Sequence, residues 1–236
     1  MLGYLRAAAG LFLTLGSSLA TIVGGWLGSG EETAERVMAW WGRAFVRAGG
    51  WKVRVEGMES LPAGGAVLVS NHQSLVDIPL LLSAFPRPVK FIAKRELGEI
   101  PLFGKAMAEA GNLFIDRDDP RDAVQMLRDA SSRLQRGQLL VVFPEGTRSD
   151  DGSIGEFKPG AFYLAQKSGA PVVPVHIDGG CLALPKGSFR FRRVPLSVWV
   201  LPPLTVDEGA GGSKERIAAS VRERIVSARA AGKKET

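Results

Sequence analysis

Residues 66–77 read AVLVSNHQSLVD, and their pattern indicates the fold class. The stretch begins with a continuous apolar run up to Ser70, which is typical of a strand buried on both faces. A polar turn follows, and an apolar helix is predicted to begin near Ile78. Strand, turn and helix in this order indicate an α/β protein with a mostly parallel central sheet covered by helices.

The same alternation continues along the chain after Trp51. Strands are predicted at residues 52–57, 66–71, 89–94, 112–116, 138–143, 171–177, 189–192 and 196–201. Helices are predicted at about 75–85, 100–110, 120–136 and 159–169, and a last helix after the glycine-rich linker at 208–213 carries Ile217, Val221 and Ile225. Residues 51–236 are therefore expected to form one α/β domain.

Composition narrows the classes of partner. The chain has 236 residues, 45% of them hydrophobic, which is enough to bury a sizeable core. Its one cysteine, Cys181, excludes an intramolecular disulfide and is predicted to be a small buried residue. The net charge of +6 favours an anionic partner. The sequence has neither zinc-finger ligand spacing nor a basic region followed by heptad repeats. The anionic partner is therefore predicted to be a lipid or a phosphorylated substrate and not nucleic acid. No metal is predicted.

The first 50 residues have a different character, because no charged side chain lies between Arg6 and Glu31. The run at residues 11–28 is long enough to span a bilayer or to lie in one leaflet. A cleaved signal peptide, a single transmembrane span and simple packing of helices on the domain are the alternatives. We favour a membrane anchor of two helices, hinged near residues 28–30.

An amphipathic pattern in residues 31–51 supports the second helix of this anchor. Val37, Trp41, Ala44 and Phe45 fall near one side of a helix, and arginines at 36, 43 and 47 can reach headgroups. The tryptophans at 26, 40, 41 and 51 are predicted to lie at a headgroup boundary.

Candidate catalytic residues lie in the turn after residues 66–70. Of the two histidines, His72 follows a strand end, where parallel sheets place their sites, whereas His176 lies within an apolar strand and is predicted to be structural. Asp77 follows five residues later, so a turn can fold its carboxylate onto one imidazole nitrogen. The alternative is a helix cap, because Ser74 and Asp77 have capping-box spacing.

The segment FPEGTRS at residues 143–149 also follows an apolar strand. Gly146 permits close approach of the backbone to a ligand, Arg148 offers a forked donor to phosphate, and Glu145 can accept from a hydroxyl or hold that arginine. The alternative is a strand-ending turn with a surface ion pair. Lys94 and Arg95, after the strand at 89–94, are predicted at the same edge, either as phosphate ligands or as solvated charges.

Together these blocks, followed by VVPV at residues 172–175, resemble the four motifs of the glycerolipid acyltransferase family that includes bacterial 1-acylglycerol-3-phosphate acyltransferases. The resemblance implies a catalytic histidine at His72 with its aspartate at Asp77, and a phosphate contact at Lys94 or Arg95. It further implies acceptor contacts at four consecutive residues, Glu145, Gly146, Thr147 and Arg148. Residues 173–175 would line the acyl or acceptor site.

The function implied by this resemblance is transfer of a fatty acyl group to lysophosphatidic acid. The acyl group would come from acyl-CoA or acyl-carrier protein as co-substrate, with no cofactor and no metal. The location implied is the cytoplasmic face of the inner membrane, peripheral or monotopic. The alternatives are another lysolipid or glycerol 3-phosphate as acceptor, a noncatalytic lipid-binding protein, and a soluble hydrolase.

Overall fold

The computed structural model describes residues 1–116, 119–205 and 213–232. The strands are β1 (Val53–Glu56), β2 (Ala66–Ser70), β3 (Val89–Lys94), β4 (Leu113–Ile115), β5 (Leu139–Val142), β6 (Val172–Asp178) and β7 (Leu196–Val200). The helices are α1 (Leu2–Trp26), α2 (Gly30–Gly49), α3 (Asp77–Ala84), α4 (Arg95–Gly98), α5 (Phe103–Glu109), α6 (Pro120–Gln135), α7 (Gly160–Ser168), α8 (Gly180–Ala183) and α9 (Lys214–Gly232). The predicted linker at 208–213 lies outside the described residues except for Ser213.

The strands form one sheet in the order β1-β7-β6-β2-β5-β3-β4. Strands β2 to β6 all run parallel, whereas β7 pairs antiparallel with β6 and carries β1 parallel to itself. The predicted mostly parallel α/β fold is therefore confirmed. The carboxyl ends of β2, β3, β5 and β6 meet at one edge of the sheet, which we call the carboxyl edge.

Two apolar layers cover the faces of this sheet. Leu68 and Val141 face the layer that contains α2 and α3, and Val67 and Leu140 face the layer that contains α6, α7 and α9. All five residues of β2 are buried, as expected for a strand between two helical layers. The two layers therefore hold β2, and with it the start of the His72 turn, in a fixed position.

One predicted strand is absent. Residues 189–192 form a loop, so the strand prediction at FRFR is wrong. The reason is that Phe191 packs on Trp51 and Phe45, with ring centroids 4.9 and 5.5 Å apart, and its N–H donates to the carbonyl of Gly3. Strand β7 already pairs with β1 and β6, so its two edges offer no further ladder.

Helices α1 and α2 form the predicted helical hairpin, and Gly28 and Gly30 at its bend have φ near +76° and +72°. One side of α2 packs on α3, closely enough that a Cβ on Gly42 would lie 2.7 Å from that of Leu82. Trp41 of α2 is buried, and its indole N–H donates to Thr14 of α1. The predicted lipid-facing side of α2 therefore faces protein.

The tryptophans divide into two groups. Trp26 and Trp40 are exposed, whereas Trp41 and Trp51 are buried, so the headgroup prediction is wrong for the last two. The indole N–H groups of the buried pair donate to Thr14 and to the carbonyl of Arg192, and aromatic packing outweighs exposure of their rings.

Helix α1 is long and apolar enough to cross a membrane, and 22% of its most apolar stretch is buried. It packs against α2 and α5 on one side. The opposite side exposes large apolar residues, including Phe12, Leu15 and Leu19. Such a face on a 25-residue helix indicates association with a membrane.

A buried ion network fastens α2 to the sheet. The ammonium of Lys90, at the start of β3, donates to the carbonyl of Ala110 at 2.6 Å and pairs with the carboxylates of Glu31 and Glu35. Glu31 also pairs with Arg133 of α6 at 2.7 Å. Burial raises the pKa of Glu31, but the hydrogen bonds from Lys90 and Arg133 more than offset this effect and lower the pKa to about 2.

Candidate active site

The turn between β2 and α3 places an imidazole against a buried carboxylate. His72 Nδ1 lies 2.8 Å from Asp77 Oδ2, as the spacing predicts. The same oxygen accepts from the N–H groups of Gln73 at 2.7 Å and Ser74 at 2.8 Å. With three donors around one oxygen, Nδ1 carries the proton and the carboxylate is held in a single position.

The contacts of a capping box are also formed in this turn, because the Ser74 N–H donates to the Asp77 carboxylate at 2.8 Å. The assigned helix α3 begins at Asp77. The Asp77 carboxylate therefore serves both the turn before the helix and the imidazole of His72. The hydroxyl of Ser74 donates to the carbonyl of Leu184 and accepts from the N–H of Val76. The two side chains therefore stabilise the turn that presents His72.

The imidazole of His72 also stacks on the ring of Phe143. The two rings stack with centroids 4.0 Å apart and planes 16° apart. The His72 side chain is 16% exposed. Its Nε2 makes no hydrogen bond to any residue within the described ranges, so this nitrogen is available as a base.

Glu145 connects the two loops of the site. One carboxylate oxygen accepts from the His72 N–H at 2.8 Å, and the other accepts from the Gly155 N–H at 2.8 Å. Burial raises the pKa of this carboxyl, although the two N–H donors oppose the shift. The Ser149 N–H donates to the carbonyl of His72 at 2.9 Å. The segment 145–149 is thereby fixed beside the histidine, as expected from the shared carboxyl edge.

Within this segment, Gly146 has a φ of +74°, a conformation that favours glycine. Thr147 is exposed beside it, and Arg148 is half-buried. The Arg148 guanidinium forms no ion pair or hydrogen bond with the part of the chain that the structure describes. The predicted ion pair between Glu145 and Arg148 is therefore not formed, and Arg148 retains its hydrogen-bond donors.

Lys94 and Arg95 also lie at the carboxyl edge, but each has a carboxylate partner. Lys94 pairs with Glu96, and Arg95 pairs with Asp122 of α6. The hydrogen bond from Arg95 lowers the pKa of Asp122, and the pKa of Arg95 rises in return. A phosphate at this place would compete with these two carboxylates, whereas Arg148 has no such competitor among the described side chains.

Three supporting residues were missed from the sequence. The Asn71 amide joins the turn to β6 through both the N–H and the carbonyl of Ile177, at 2.8 and 2.9 Å. Gly180 lies so close to Asp77 that a Cβ there would be 2.5 Å from Oδ1. Phe143 is the third. Of these three residues, only Asn71 has a signal in the sequence, because it directly precedes His72.

The remaining predictions for this edge have mixed outcomes. His176 is fully buried, and burial lowers its pKa to about 4, which fits the predicted structural role. Cys181 is half-buried rather than buried, because it lies on α8 at the loop edge and contacts the carbonyl of Asp150. Val173, Pro174 and Val175 belong to β6 beside β2, and both valines are fully buried. They therefore form part of the sheet core, and their predicted contact with the acyl or acceptor site stays a prediction.

An apolar cavity opens beside the histidine. Its volume is about 430 Å³. Phe143 separates it from the His72 ring, and the other apolar walls come from β3, β4, α6 and α7, namely Ile92, Ile115, Met126, Leu127, Ala161 and Leu164. Lys158 and Lys214 also contribute to its lining. A cavity of this size and composition fits an apolar ligand.

The fold and this site together define the class of protein. The chain belongs to the acyltransferase family, whose model matches residues 52–178. The solved structure of the 1-acyl-sn-glycerophosphate (LPA) acyltransferase PlsC from Thermotoga maritima is 31% identical, with a TM-score of 0.71. The match covers 93% of this chain and 94% of that one.

Curated relatives carry the same activity in their names. The chloroplastic 1-acyl-sn-glycerol-3-phosphate acyltransferase LPAT1 of Arabidopsis thaliana is 44% identical over 58% of this chain and 39% of its own length. The 1-acyl-sn-glycerol-3-phosphate acyltransferase of Saccharomyces cerevisiae is 31% identical over 93% of this chain and 72% of its own length. The chain spans only 39% of the length of the Arabidopsis relative and 40% of that of the chloroplastic relative BAT2 from Brassica napus.

Proposed function

We propose that this protein transfers a fatty acyl group from a thioester donor to the free hydroxyl of 1-acylglycerol 3-phosphate, giving phosphatidic acid. The observation that carries the proposal is the His72–Asp77 pair, whose 2.8 Å hydrogen bond leaves Nε2 as the basic nitrogen. The acyltransferase relatives named for this acceptor support it.

The mechanism needs no nucleophile from the protein. Nε2 of His72 removes the proton of the acceptor hydroxyl as its oxygen attacks the thioester carbonyl carbon. The tetrahedral intermediate then expels the thiolate, which takes the proton from the imidazolium, and an ester replaces the thioester. Asp77 stabilises the imidazolium through Nδ1–H while the proton is held.

The start of α3 is predicted to stabilise the oxyanion, and the hydrogen bonds of the turn limit which N–H groups can do so. The N–H groups of residues 72, 73, 74, 76 and 77 already donate to protein acceptors. Leu75 is exposed, and its N–H has no acceptor within the described residues. Among the N–H groups of residues 72–77, it is therefore the candidate oxyanion donor.

Substrate placement follows from charge and burial. Arg148 would bind the phosphate of the acceptor, because its guanidinium has no carboxylate partner among the described residues. The cavity of about 430 Å³ would take the fatty chain of the donor, because its wall at Phe143 contacts the catalytic ring. The donor would be acyl-CoA or acyl-carrier protein.

The exposed side of α1 would anchor the protein in one leaflet on the cytoplasmic face of the inner membrane. Within the described chain, no protein partner covers the apolar residues on this side. The proposed acceptor of the enzyme is itself a lipid. In this proposal residues 1–50 form the membrane-associated part, and residues 51–236 form the acyltransferase domain. Because α2 packs on α3, α1 supplies most of the lipid contact.

The test is to incubate purified protein with acyl-CoA and a panel of lysolipids and to identify the acylated product by mass spectrometry. His72→Ala should lower turnover by roughly 10²–10⁴, the usual contribution of a positioned base. Arg148→Ala should mainly raise the acceptor KM. Thioester consumption without an acylated product would indicate a hydrolase, and turnover retained by His72→Ala would refute the base assignment.

A second acceptor remains a candidate on one observation. A guanidinium without a carboxylate partner pairs with any accessible phosphate, so another phosphate-bearing lysolipid or glycerol 3-phosphate fits Arg148 as well. The panel decides this by the acceptor that gives the highest kcat/KM. Equal loss for all phosphate acceptors in Arg148→Ala, with no loss for an uncharged one, would support phosphate recognition.

A further inference from the structure

The loop between α8 and β7, residues 184–193 with the sequence LPKGSFRFRR, is held in place at several points. The Arg192 N–H donates to the carbonyl of Ala183 at 2.8 Å, and its own carbonyl accepts from the Trp51 indole at 2.8 Å. The Arg190 N–H donates to the hydroxyl of Ser188 at 3.1 Å. These bonds give the loop a fixed conformation and therefore a fixed presentation of its side chains.

The two phenylalanines of this loop differ sharply in exposure. Phe191 is buried in the aromatic cluster with Phe45 and Trp51, whereas Phe189 is 82% exposed. A large aromatic side chain exposed to this degree in an otherwise anchored loop indicates a binding surface.

Cations surround the exposed ring. Lys186, Arg190, Arg192 and Arg193 are all exposed, and only Lys186 has a carboxylate partner, Asp150, among the described residues. Three arginines without carboxylate partners beside an exposed aromatic ring match an anionic surface that also has an apolar interior. An acidic protein surface would match the arginines but would leave Phe189 in water.

The loop is continuous with the apolar helix α1. The Phe191 N–H donates to the carbonyl of Gly3 at 3.3 Å, and a Cβ on Gly3 would lie 2.5 Å from the Phe191 carbonyl oxygen. The Phe191 ring also contacts α1 at Gly10. Leu2 and Leu5, at this end of α1, are exposed. Any bilayer that receives the first turns of α1 therefore lies beside Phe189.

We propose that residues 186–193 form a second membrane-contact site, which binds the headgroups of anionic phospholipids through Arg190, Arg192 and Arg193 and inserts Phe189 at the boundary with the acyl chains. The inference rests on the proposed function, since it assumes that α1 is membrane-bound. Lys186 of this loop also donates to the carbonyl of Arg148 at 3.4 Å. The contact would thereby turn the carboxyl edge, with His72 and Arg148, towards the lipid acceptor.

The experiment places an environment-sensitive fluorophore on the loop. The variant Phe189→Cys is labelled in a Cys181→Ser background and mixed with vesicles containing about 30 mol% phosphatidylglycerol, a composition chosen to give an anionic surface. The emission should shift to the blue and be quenched by brominated lipid. The matched control is a label at Val226→Cys, an exposed apolar position on α9, which lies in the helical layer on the other face of the sheet from Phe191 and α1. This label should remain in water.

A charge variant tests the headgroup contact separately. Replacing Arg190, Arg192 and Arg193 together by Gln should raise the anionic lipid concentration needed for half-maximal binding by roughly 100-fold, and should change binding to phosphatidylcholine vesicles by less than about twofold. The control replaces three other exposed arginines, Arg128 of α6, Arg136 at the end of α6 and Arg224 of α9, with the same loss of charge. It should cause little change, because α6 and α9 pack in the helical layer on the other face of the sheet from α1 and Phe191.

Several results would overturn the proposal. One is a label at residue 189 that stays in water on vesicles that bind the protein, and another is equal affinity of the charge variant and the unmodified chain for anionic vesicles. A raised KM for acyl-carrier protein in detergent, with vesicle affinity unchanged, would assign the arginines to an acidic protein instead. The fluorescence and vesicle-binding readouts need no turnover, so His72→Ala should bind vesicles normally, and failure of acyl transfer would refute only the proposed function.

Discussion

The chemistry of the site depends on one oxygen atom. Asp77 Oδ2 accepts from His72 Nδ1 and from two backbone N–H groups, while Oδ1 is buried beside Gly180 with no hydrogen-bond donor among the described residues. The carboxylate therefore fixes the tautomer by geometry and stabilises the imidazolium by charge. A substitution can separate these two effects.

Asp77→Asn should retain the geometry and lose the charge. Three donors require an oxygen at the position of Oδ2, so the amide oxygen should occupy it and the amide nitrogen should replace Oδ1. We expect a folded protein with kcat lower by roughly 10²–10⁴, measured as thiol release from acyl-CoA. Asp77→Ala is the contrasting variant, because it should also lower the thermal midpoint by leaving three donors unsatisfied. Full activity of Asp77→Asn would show that the charge is unimportant.

At this scale the sequence was informative where a short turn determines the contact. The spacing of His72 and Asp77 allowed one carboxylate to reach one ring nitrogen, and the structure has that bond. The spacing could not show that Glu145 binds backbone N–H groups 73 and 10 residues away, because long-range contacts leave no local pattern. It also could not show that Lys94 and Arg95 have carboxylate partners, since one of these, Asp122, lies on another element.

Among the elements, α2 is the one whose environment the sequence did not determine. Its amphipathic pattern was equally consistent with lipid and with protein as the apolar partner. The structure places it on α3, with Trp41 buried and the network around Lys90 at its start. Lys90 itself shows why the pattern was insufficient, because a charged residue near the start of a predicted strand gave no sign that it would be fully buried.

Lys90→Met tests whether this network fastens α2. The substitution leaves the Glu31 and Glu35 carboxylates and the Ala110 carbonyl without the ammonium. We expect a loss of about 3 kcal/mol in the free energy of unfolding, the lower end for breaking a buried ion pair, because Glu31 is 40% exposed. Urea denaturation measures it, and the exposed Lys52→Met should change the midpoint little. A loss no larger than that of Lys52→Met would contradict the assignment.

The same network gives a pH dependence with a definite sign. The folded-state pKa of Glu31, about 2, is below the ordinary glutamate pKa of 4.5 expected for the unfolded chain. Its contribution to stability is therefore complete above pH 4.5 and is lost as the pH falls through 2. The Lys90→Met variant should lack most of this acid dependence.

For the whole molecule, the parallel sheet is the part that the sequence predicted best, because continuous apolar runs followed by turn residues gave both the class and the shared edge. The placement of residues 189–192 was not predictable in this way. Alternating Phe and Arg indicate a strand, but the aromatic cluster with Trp51 and the contact with Gly3 are formed by residues more than 130 positions away. That contact also places the loop beside α1, so the anchor and the carboxyl edge have a fixed mutual orientation.

This fixed orientation faces the site towards a membrane only if the exposed face of α1 binds one. Replacing Phe12, Leu15 and Leu19 together by Asn should weaken membrane partition by about 4.5 to 9 kcal/mol, since each buried apolar side chain contributes about 1.5 to 3 kcal/mol. The variant should appear in the supernatant after alkaline carbonate extraction, whereas the unmodified protein should sediment with membranes. The control replaces three exposed apolar residues elsewhere, Leu97, Val124 and Val226, and should remain with the membranes. Release of the unmodified chain would remove the anchor, and the lipid acceptor would then have to leave its bilayer to reach His72.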